Sequence, residues 1–230
     1  YEIAVPTAQG LAFWEALVEA GVGRVFVALR DPDERVNGSG IAILQKAGIE
    51  VIEGLLANEA AELNAGFFTT RLHGRPLMTL KMATSLDGRI ATTTGDSKWI
   101  TGPAARRYGH MLRAQNDAIM IGVGTALVDN PDLTCRVDGL EKHSPIRIVA
   151  DSRLRLPLTS KLVAKAAEVP LWILTVPGND RDRLQALEGL GVQVIEVPAN
   201  ESGLPDMRLG LKTLAERGIT RILVEGGSHL

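Results

Sequence analysis

The chain contains 230 residues, of which 45% are hydrophobic and 23% are charged, a composition typical of globular proteins that excludes a disordered chain, a collagen and a coiled coil. The net charge of −2 and the aromatic content of 4% argue against a nucleic-acid binder, which would need basic and stacking side chains. The single cysteine, Cys135, excludes an internal disulfide and a cysteine-rich zinc site. No apolar run is long enough for a membrane span and no signal peptide is visible, so we expect a cytoplasmic protein.

The first third of the chain predicts a small βαβ unit. Its predicted elements, in chain order, are a helix at 11–20, a strand at 24–29, a helix at 41–47, a strand at 49–52 and a helix at 57–68. A strand, a helix and a strand in close succession favour a parallel pair of strands. Residues 69–76 contain Gly and Pro and show no periodic pattern of apolar residues. We therefore expect a domain boundary in this segment, with domains at 1–73 and 74–230.

The second segment alternates between apolar runs and helical patterns. The predicted strands are 77–83, 89–92, 117–122, 146–150, 171–175, 192–197 and 221–224. The predicted helices are 103–115, 159–167, 180–189 and 206–217. Thr101 is the expected N-cap of the first of these helices, with Pro103 in its first turn. The alternation predicts an α/β domain with a mostly parallel sheet that helices cover on both faces.

Polar or small residues follow four of these strands, and ligands of parallel sheets bind beyond the carboxyl ends of strands. The four strand ends carry Thr84, Ser85 and Asp87; Gly122, Gly124 and Thr125; Asp151, Ser152 and Arg153; and Glu225 with the following Gly-Gly-Ser. Ser152 beside Arg153 and Arg155 has the chemistry to bind a ribose 2′-phosphate, whereas Asp151 would favour a 2′-hydroxyl. Turn residues and solvated arginines are the alternative interpretation.

Other polar residues of this segment are ambiguous on position alone. Asp129, in the string VDNP, is either a turn former or a ligand. Arg113 and Arg136 flank that region and are either surface charges or anion ligands. Trp99 lies in the polar string GDSKWITG, where it either closes a pocket or fills the core.

Four blocks in the second segment carry a family resemblance. The strings LKMATSLDGRIATTTGDSKWITG, RAQNDAIMIGVGTALVDNPDLTCR, IVADSRLRLP and ILVEGG occur in this order from about residue 77 to the end. Together they resemble the reductase domain of the bifunctional riboflavin-biosynthesis deaminase/reductase family, which is similar to dihydrofolate reductase in fold. The earlier string ALVEAGVGRVFVALRDPDERVNGSGIAILQKAGIEV resembles the C-terminal half of that family's cytidine-deaminase-like domain. The chain starts without Met and stops after a Gly-Gly pair, so we expect a fragment with an incomplete deaminase domain and a truncated reductase domain.

The resemblance implies a zinc site in the deaminase domain, built from a His-Ala-Glu block and two cysteines in a PC…PPC block. The first block would precede Tyr1. The second would occupy roughly residues 5–14, which read VPTAQGLAFW and contain neither Cys nor His. Zinc needs about four ligands, or three and a water, so we predict no metal site and no deaminase activity in this chain.

For the reductase, the resemblance implies NADPH-dependent reduction of the ribosyl group of 5-amino-6-(5-phosphoribosylamino)uracil to ribityl. The positions it assigns to the cofactor are Ala83, Trp99, Thr125, Asp129, Ser152, Gly227 and Ser228. The positions it assigns to the substrate are Lys81, Ser97, Arg113, Leu133, Arg136 and Glu225. Asp129, or else Glu225, is the expected proton donor or counter-charge, and Arg113 with Arg136 is expected to bind the substrate 5-phosphate. The family also implies a homodimer or higher homo-oligomer, with no nucleic-acid or membrane partner.

Three alternatives stay open on the sequence. The chain could be another dihydrofolate-reductase-like NADPH enzyme that acts on a different pteridine or pyrimidine. It could be a cofactor-binding or assembly module that has lost catalysis, as the loss of the zinc block suggests. A doubly wound dehydrogenase is disfavoured, because the string GVGTAL lacks the third glycine of the dinucleotide fingerprint.

Overall fold

A computed structural model of the chain describes residues 7–33, 38–97 and 99–225. The chain divides into two units, Tyr1–Arg75 and Pro76–Leu230, and this division lies two residues beyond the predicted domain boundary. Among the described residues, none of the helices has the length and apolar character required to cross a membrane.

The first unit contains the predicted βαβ arrangement. Its elements are α1 (Thr7–Glu19), β1 (Arg24–Val27), α2 (Ser39–Lys46), β2 (Glu50–Glu53), α3 (Ala57–Leu63) and α4 (Ala65–His73). Strands β1 and β2 pair in parallel, with Arg24 opposite Glu50 and Val27 opposite Glu53, so the predicted parallel pair is confirmed.

Helices α1 and α2 approach each other closely at one glycine. A Cβ atom at Gly40 would lie 2.1 Å from Cε2 of Trp14, so the indole ring occupies the space that any other side chain would fill. Ile41, Leu44 and Ile49 are buried beside this contact. Glycine at position 40 therefore allows the small core of this unit to form.

The helix predicted over residues 57–68 is wrong in its extent, because Asn64 divides it into α3 and α4. The backbone N–H and the side-chain amide of Asn64 both donate to the carbonyl oxygen of Ala60, which ends α3, and the Asn64 carbonyl accepts from Phe68 to begin α4. Helix α4 then continues through Thr69 and Thr70 into the segment predicted as a linker, until Gly74 ends it with a φ of 63°. Asparagine favours such junctions because its short amide can replace a backbone partner.

The described residues of the second unit form one six-stranded parallel sheet with helices. Its elements are β3 (Leu77–Leu80), α5 (Pro103–Ala114), β4 (Ala118–Gly122), α6 (Val123–Asp129), a 3-10 turn (Glu141–His143), β5 (Ile146–Ala150), α7 (Lys161–Ala164), β6 (Leu171–Thr175), α8 (Arg181–Gly189), β7 (Gln193–Glu196), α9 (Met207–Glu216) and β8 (Arg221–Val224). The strand order is β3-β8-β4-β5-β6-β7, and every pairing among these strands is parallel. The predicted α/β class with a mostly parallel sheet is confirmed.

Two apolar layers, one on each face of this sheet, form its core. One layer includes Ile119, Ile121, Val149, Ile173 and Leu223, together with Leu162 of α7 and Leu187 of α8. The other layer includes Met120, Ile148, Leu174, Ile222 and Val224, together with Leu214 of α9. Successive residues of a strand point to opposite faces, so strands covered on both faces are apolar at nearly every position.

The predicted strand at 89–92 is wrong. Ser85 and Arg89 bond to each other across the turn, through both their backbones and the Ser85 hydroxyl. Thr92 closes a second small turn in the same way with Asp96. Polar side chains that bond to nearby backbone groups compete with strand pairing, and here these local turns replace it.

Two other local predictions also differ from the structure. The alternative interpretation as turn residues fails for Gly124 and Thr125, because α6 begins at Val123 directly after β4. Gly102, rather than Thr101, is the N-cap of α5, and no side chain caps that helix end. The Thr101 carbonyl oxygen instead accepts a bond of 2.6 Å from the Arg106 guanidinium, so this residue is fixed by a different partner.

Polar groups at the amino edge of the sheet hold strands and loops together. Oδ2 of Asp117 accepts bonds from the backbone N–H and hydroxyl of Thr220, both at 2.7 Å, and from the backbone N–H of Arg221 at 2.9 Å. These bonds fasten the start of β8 beside the start of β4. Arg147 of β5 is fully buried and donates from Nη2 to the carbonyl oxygens of Lys165 and Val169. Burial lowers the pKa of Arg147 to about 10, which still leaves it charged at neutral pH.

Candidate functional site

The four strands that are followed by polar or small residues in the sequence are neighbours in the sheet. Strands β3, β8, β4 and β5 lie side by side and all run in the same direction. Their carboxyl ends therefore meet at one edge, which also carries the residues that follow them. We call this edge, with Lys81, Glu225, α6 and the loop 151–156, the carboxyl edge.

Glu225 is the centre of a charged cluster at the carboxyl edge. It follows β8, and its backbone N–H donates to the Met120 carbonyl oxygen at 3.1 Å, which fixes it beside β4. Its carboxylate accepts two bonds of 2.9 Å from Nε and Nη2 of Arg113, and Nζ of Lys81 lies 3.6 Å away. The Glu225 side chain is only 9% exposed, compared with 15% for Arg113 and 34% for Lys81. The fork-to-fork geometry with Arg113 orients both side chains.

The cluster holds Glu225 in its charged form. Burial by itself would raise the pKa of the Glu225 carboxyl, but the hydrogen bonds and charge of Arg113, together with Lys81, outweigh that effect and lower the pKa below its ordinary value. At neutral pH Glu225 is therefore a carboxylate. This favours a fixed negative charge at Glu225 over the proton donor that the sequence left open.

A chain of contacts links this cluster to the loop that follows α6. Nη1 of Arg113 donates to the Thr134 carbonyl oxygen at 2.9 Å, and His110 of α5 contacts both Thr134 and Arg136. Leu133 is buried with a φ of 58°, a left-handed conformation that the loop must hold in place. The structure thus brings Lys81, Glu225 and Arg113 together with the loop that carries Leu133 and Arg136. Arg136 itself is largely exposed.

A cleft lies between α5 and the segment that continues β3. Its volume is about 340 Å³, and its lining includes Lys81, Ala83, Arg106 and Tyr108. Arg106 places its guanidinium carbon 4.5 Å from the centre of the Trp99 ring, a cation–π contact, while also bonding to the Thr101 carbonyl oxygen. Trp99 is otherwise 75% exposed, so it does not fill the core.

Sequence reasoning missed Arg106 and Tyr108. Both lie on α5 and line the cleft with the predicted residues Lys81 and Ala83. The sequence shows only that both residues lie in a helix after a polar loop, and many solvent-exposed residues occupy such positions. Ser97 is exposed and is not one of the hydrogen-bonded or ion-paired residues of the charged cluster.

The loop 151–156, after β5, is held from several sides. Asp151 is fully buried, and its carboxylate accepts from the backbone N–H of Leu156 at 2.8 Å and of Arg153 at 3.4 Å. Leu154 has a φ of 49°, and Arg183 of α8 donates to the carbonyl oxygens of Leu154 and Leu156. The Asp151 carboxylate is thus directed into its own loop.

Ser152 is fixed by Asn179, a residue that sequence reasoning did not select. The side-chain amide of Asn179 lies 3.2 Å from the Ser152 carbonyl oxygen, 2.9 Å from the Thr175 hydroxyl and 2.7 Å from the Val176 carbonyl oxygen. Ser152 is half-buried and Arg153 is exposed beside it. Asn179 follows β6, so adjacent strand ends support each other.

The remaining predicted residues lie on or beyond α6 and β8. Thr125 is half-buried within α6, and Asp129 is exposed as the last residue of that helix. Asn130 ends the helix with a φ of 40°, so the string VDNP is a helix end. Gly227 and Ser228 lie outside the described residues. Within the described part of the chain, His, Cys, Asp and Glu side chains form no group of three or more that could hold a metal ion, and the sequence lacks the zinc ligands of the family it resembles.

Comparisons with known proteins show the family of the second unit. Residues 76–230 match the family described as the RibD C-terminal domain. The chain is 42% identical over 216 residues to "Riboflavin biosynthesis protein RibD" of Bacillus amyloliquefaciens, a match that covers 94% of this chain and 57% of that protein. It is 36% identical to the protein of the same name from Escherichia coli K12, over 94% of this chain and 60% of that protein.

Solved structures give the same result. The chain is similar to Acinetobacter baumannii RibD, with a TM-score of 0.79, 36% identity and coverage of 93% of this chain and 57% of the other. It is also similar to a Thermotoga maritima diaminohydroxyphosphoribosylaminopyrimidine deaminase/5-amino-6-(5-phosphoribosylamino)uracil reductase, with a TM-score of 0.77, 32% identity and coverage of 94% and 57%. A likeness to the Saccharomyces riboflavin biosynthesis reductase Rib7, at 24% identity and a TM-score of 0.52, shows the fold alone.

The chain spans a little over half the length of these RibD relatives. The family match covers the whole of the second unit, including the six-stranded sheet, the charged cluster and the cleft. Through residues 76–230, the chain belongs to the RibD C-terminal domain family.

Proposed function

We propose that the second unit is an NADPH-dependent reductase of riboflavin biosynthesis, which reduces the ribosyl group of 5-amino-6-(5-phosphoribosylamino)uracil to ribityl. The observation that carries the proposal is the cluster of Lys81, Arg113 and Glu225 at the carboxyl edge, in a chain whose relatives are named for this pathway. The Thermotoga relative is named in part for the uracil reductase activity. Parallel sheets bind their ligands at this edge.

The residues at the end of β5 fit a cofactor with a 2′-phosphate. A ribose 2′-hydroxyl is normally bound by an acidic side chain, but the Asp151 carboxylate is fully buried and bonded within its own loop. Ser152 and the exposed Arg153 remain as a hydroxyl donor and a guanidinium, the groups that bind phosphate. Ala83, Trp99, Thr125 and the Gly227–Ser228 segment are the other proposed contacts. When bound, NADPH supplies a hydride.

The charged cluster supplies the polar groups that would orient the substrate. Lys81 and the Arg113–Glu225 pair offer donors and an acceptor to the pyrimidine, and Arg113 with Arg136 would hold the 5-phosphate. Such contacts position the reacting carbon instead of reacting themselves. Ser97 and Leu133 are the other proposed substrate contacts.

Asp129 is the proposed proton donor for opening of the ribosyl ring. Glu225 is held as a carboxylate by Arg113 and Lys81, which makes it a poor acid, so the proposal turns to Asp129, the other carboxyl group that the resemblance offers for this role. Asp129→Asn should reduce turnover by about 100-fold or more, measured at saturating NADPH because the resemblance also assigns Asp129 to the cofactor. A variant with the wild-type rate would remove Asp129 from this role.

For the first unit, we propose an origin in the deaminase-like part of the same family, without its zinc chemistry. Support comes from the matches to RibD relatives, which cover more than nine-tenths of the chain and so extend well before residue 76. The segment that should carry the cysteines has none, and therefore no deaminase activity is proposed. We further propose that the chain acts in the cytoplasm and as a homo-oligomer.

Turnover by the purified 230-residue chain tests this function. The chain would be incubated with NADPH and 5-amino-6-(5-phosphoribosylamino)uracil, with oxidation of the cofactor followed by absorbance and the ribityl product identified by mass. We expect a product two hydrogens heavier than the substrate, formed faster with NADPH than with NADH. Absence of product from a folded chain that binds both ligands would contradict the proposal.

A further inference from the structure

His110 faces the loop that carries Arg136 through both of its ring nitrogens. Nδ1 lies 3.1 Å from the Thr134 carbonyl oxygen and 3.3 Å from the backbone nitrogen of Arg136. Nε2 lies 3.4 Å from Nη2 of Arg136. The imidazole, half-buried on α5, has no role in the function proposed above.

These contacts select one form of the ring. A neutral imidazole has one N–H and one lone pair, so Nδ1 cannot both donate to a carbonyl oxygen and accept from an amide. A guanidinium can only donate, and Nε2 must therefore present its lone pair to Arg136. Nδ1 then carries the hydrogen and donates to Thr134, so this form satisfies two of the three contacts and leaves the backbone N–H of Arg136 without Nδ1 as its acceptor.

The Arg136 guanidinium is held on another side by a carboxylate. Its Nη1 lies 3.6 Å from Oδ2 of Asp132, while Oδ1 of Asp132 accepts a bond of 2.7 Å from Lys165. The Arg136 side chain is still 61% exposed. Two partners thus restrain a long side chain that solvent would otherwise leave free, and ordering it in advance lowers the entropic cost of binding an anion.

We propose that His110 is a positioning residue, which as a neutral Nδ1–H imidazole orients the Arg136 guanidinium toward the phosphate group of the substrate. The inference rests on the proposed function, since that function gives Arg136 a phosphate ligand. Protonation of His110 would place an N–H on Nε2, so that it faces the N–H donors of Arg136. It would also add a positive charge, which Arg113 and Arg136 disfavour and the nearby carboxylate of Glu225 favours. Acid pH should therefore release Arg136.

The tautomer can be measured without any ligand. In a long-range ¹H–¹⁵N spectrum of the imidazoles at neutral pH, the His110 signals are assigned by their loss in His110→Gln. We expect the Nδ1–H tautomer, with Nε2 unprotonated. The Nε2–H tautomer would overturn the proposal, because that nitrogen could not accept from Arg136.

Two substitutions separate the two nitrogens. Gln places an amide oxygen near the position of Nε2 and can still accept from Arg136, whereas Asn places its amide near Nδ1 and keeps only the Thr134 bond. In turnover assays of the whole chain, His110→Asn should raise the KM for the aminouracil substrate about tenfold, with kcat within about twofold. His110→Gln should restore KM to within about twofold of the wild-type value, and the acid-side rise in KM of the wild type should be absent from it.

The outcomes distinguish the two proposals. Equal KM values for the Asn and Gln variants, or a loss confined to kcat, would contradict the positioning role. If the wild-type chain does not turn over the substrate, the proposed function fails, and the tautomer measurement still decides whether His110 accepts from Arg136. Melting curves of both variants show whether any loss reflects unfolding instead.

Discussion

The two edges of the six-stranded sheet use the same kinds of charged residues for different purposes. At the amino edge, the Asp117 carboxylate accepts three hydrogen bonds from Thr220 and Arg221, at the start of β8. These donors need a partner in the folded chain, whether or not a ligand binds. At the carboxyl edge, the Glu225 carboxylate binds Arg113 and Lys81, side chains that line the candidate site. Two of the three partners of Asp117 are backbone N–H groups, which makes it a structural residue, whereas Glu225 is held by two cationic side chains at the edge that we propose binds the ligands.

The largest effect is expected from removing the negative charge of Glu225 at the carboxyl edge. Glu225→Gln keeps the shape of the side chain but leaves Arg113 and Lys81 without their shared negative charge. Because misplacement of positioning groups can cost 100-fold, we expect kcat/KM to fall by about 100-fold or more. The matched change at the amino edge, Asp117→Asn, should leave kcat/KM within about threefold of wild type. Equal losses in both variants would remove the functional difference between the edges.

The amino edge should instead respond in stability. Asp117→Ala removes the acceptor of three hydrogen bonds, and hydrogen bonds to charged groups contribute modestly each when partly exposed, so we expect a loss of about 2 kcal/mol. Thermal unfolding should show a decrease in Tm of roughly 4–8 °C. The affinity of the folded variant for NADPH should not change. A variant that melts like the wild type would show that these bonds contribute nothing.

The preference for NADPH over NADH should decrease when Arg153, after the end of β5, is replaced. Arg153→Ala removes the guanidinium that is proposed to pair with the 2′-phosphate, so the ratio of NADH to NADPH dissociation constants should fall about tenfold. Arg155→Ala is the matched control, because Arg155 lies 3.9 Å from Asp151 and is engaged with its own loop. A similar fall in Arg155→Ala would contradict the assignment of the 2′-phosphate to Arg153 alone, since Arg155 or net charge would then contribute equally.

A smaller effect is expected from the cation–π contact between Trp99 and Arg106, a residue that lines the cleft. Arg106→Ala removes both the partner of the Trp99 ring and the bond to the Thr101 carbonyl oxygen. Exposed cation–π pairs contribute about 0.5–1 kcal/mol, so NADPH should bind roughly two- to fivefold more weakly. Arg107→Ala, one residue along the same helix, is the control. Unchanged binding in Arg106→Ala would show that Trp99 needs no support.

The smallest effect is a pH dependence of stability that involves His110. Burial, followed by the charges of Arg113 and Arg136, lowers the pKa of His110 in the folded chain. As the pH falls below about 6.5, the unfolded chain takes up the proton first, so stability decreases until the lower folded pKa is reached. Denaturant unfolding between pH 7 and 5 should show a smaller decrease in His110→Gln than in the wild type. Parallel curves would contradict this assignment.

Most of the sheet was predictable because its strands are covered on both faces. β5, β6 and β8 coincide with the predicted apolar runs, even though β5 contains the buried Arg147. The errors lie where local bonding competes with pattern: the side chains of Ser85 and Thr92 close turns in place of a strand, and Asn64 divides a helix. Alternation alone carries no information about such bonds.

The site was predictable in position but not in orientation. Glu225 and the Asp151 segment follow strands that the structure places in one sheet, so the shared edge was expected. The direction of the Asp151 carboxylate was not, since it depends on the backbone of Leu156 and on a loop that Arg183 supports from α8. His110 gave no signal, because only the folded loop brings Arg136 to its ring.

Whether the carboxyl edge is a cofactor site can be decided by a calorimetric titration of the 230-residue chain with NADPH and, in parallel, with NADH. We expect saturable binding of one cofactor per chain, with NADPH preferred at least about tenfold through the Ser152 and Arg153 loop. Equal affinity for the two cofactors, or no binding by a chain shown to be folded, would contradict the assignment of this edge to NADPH.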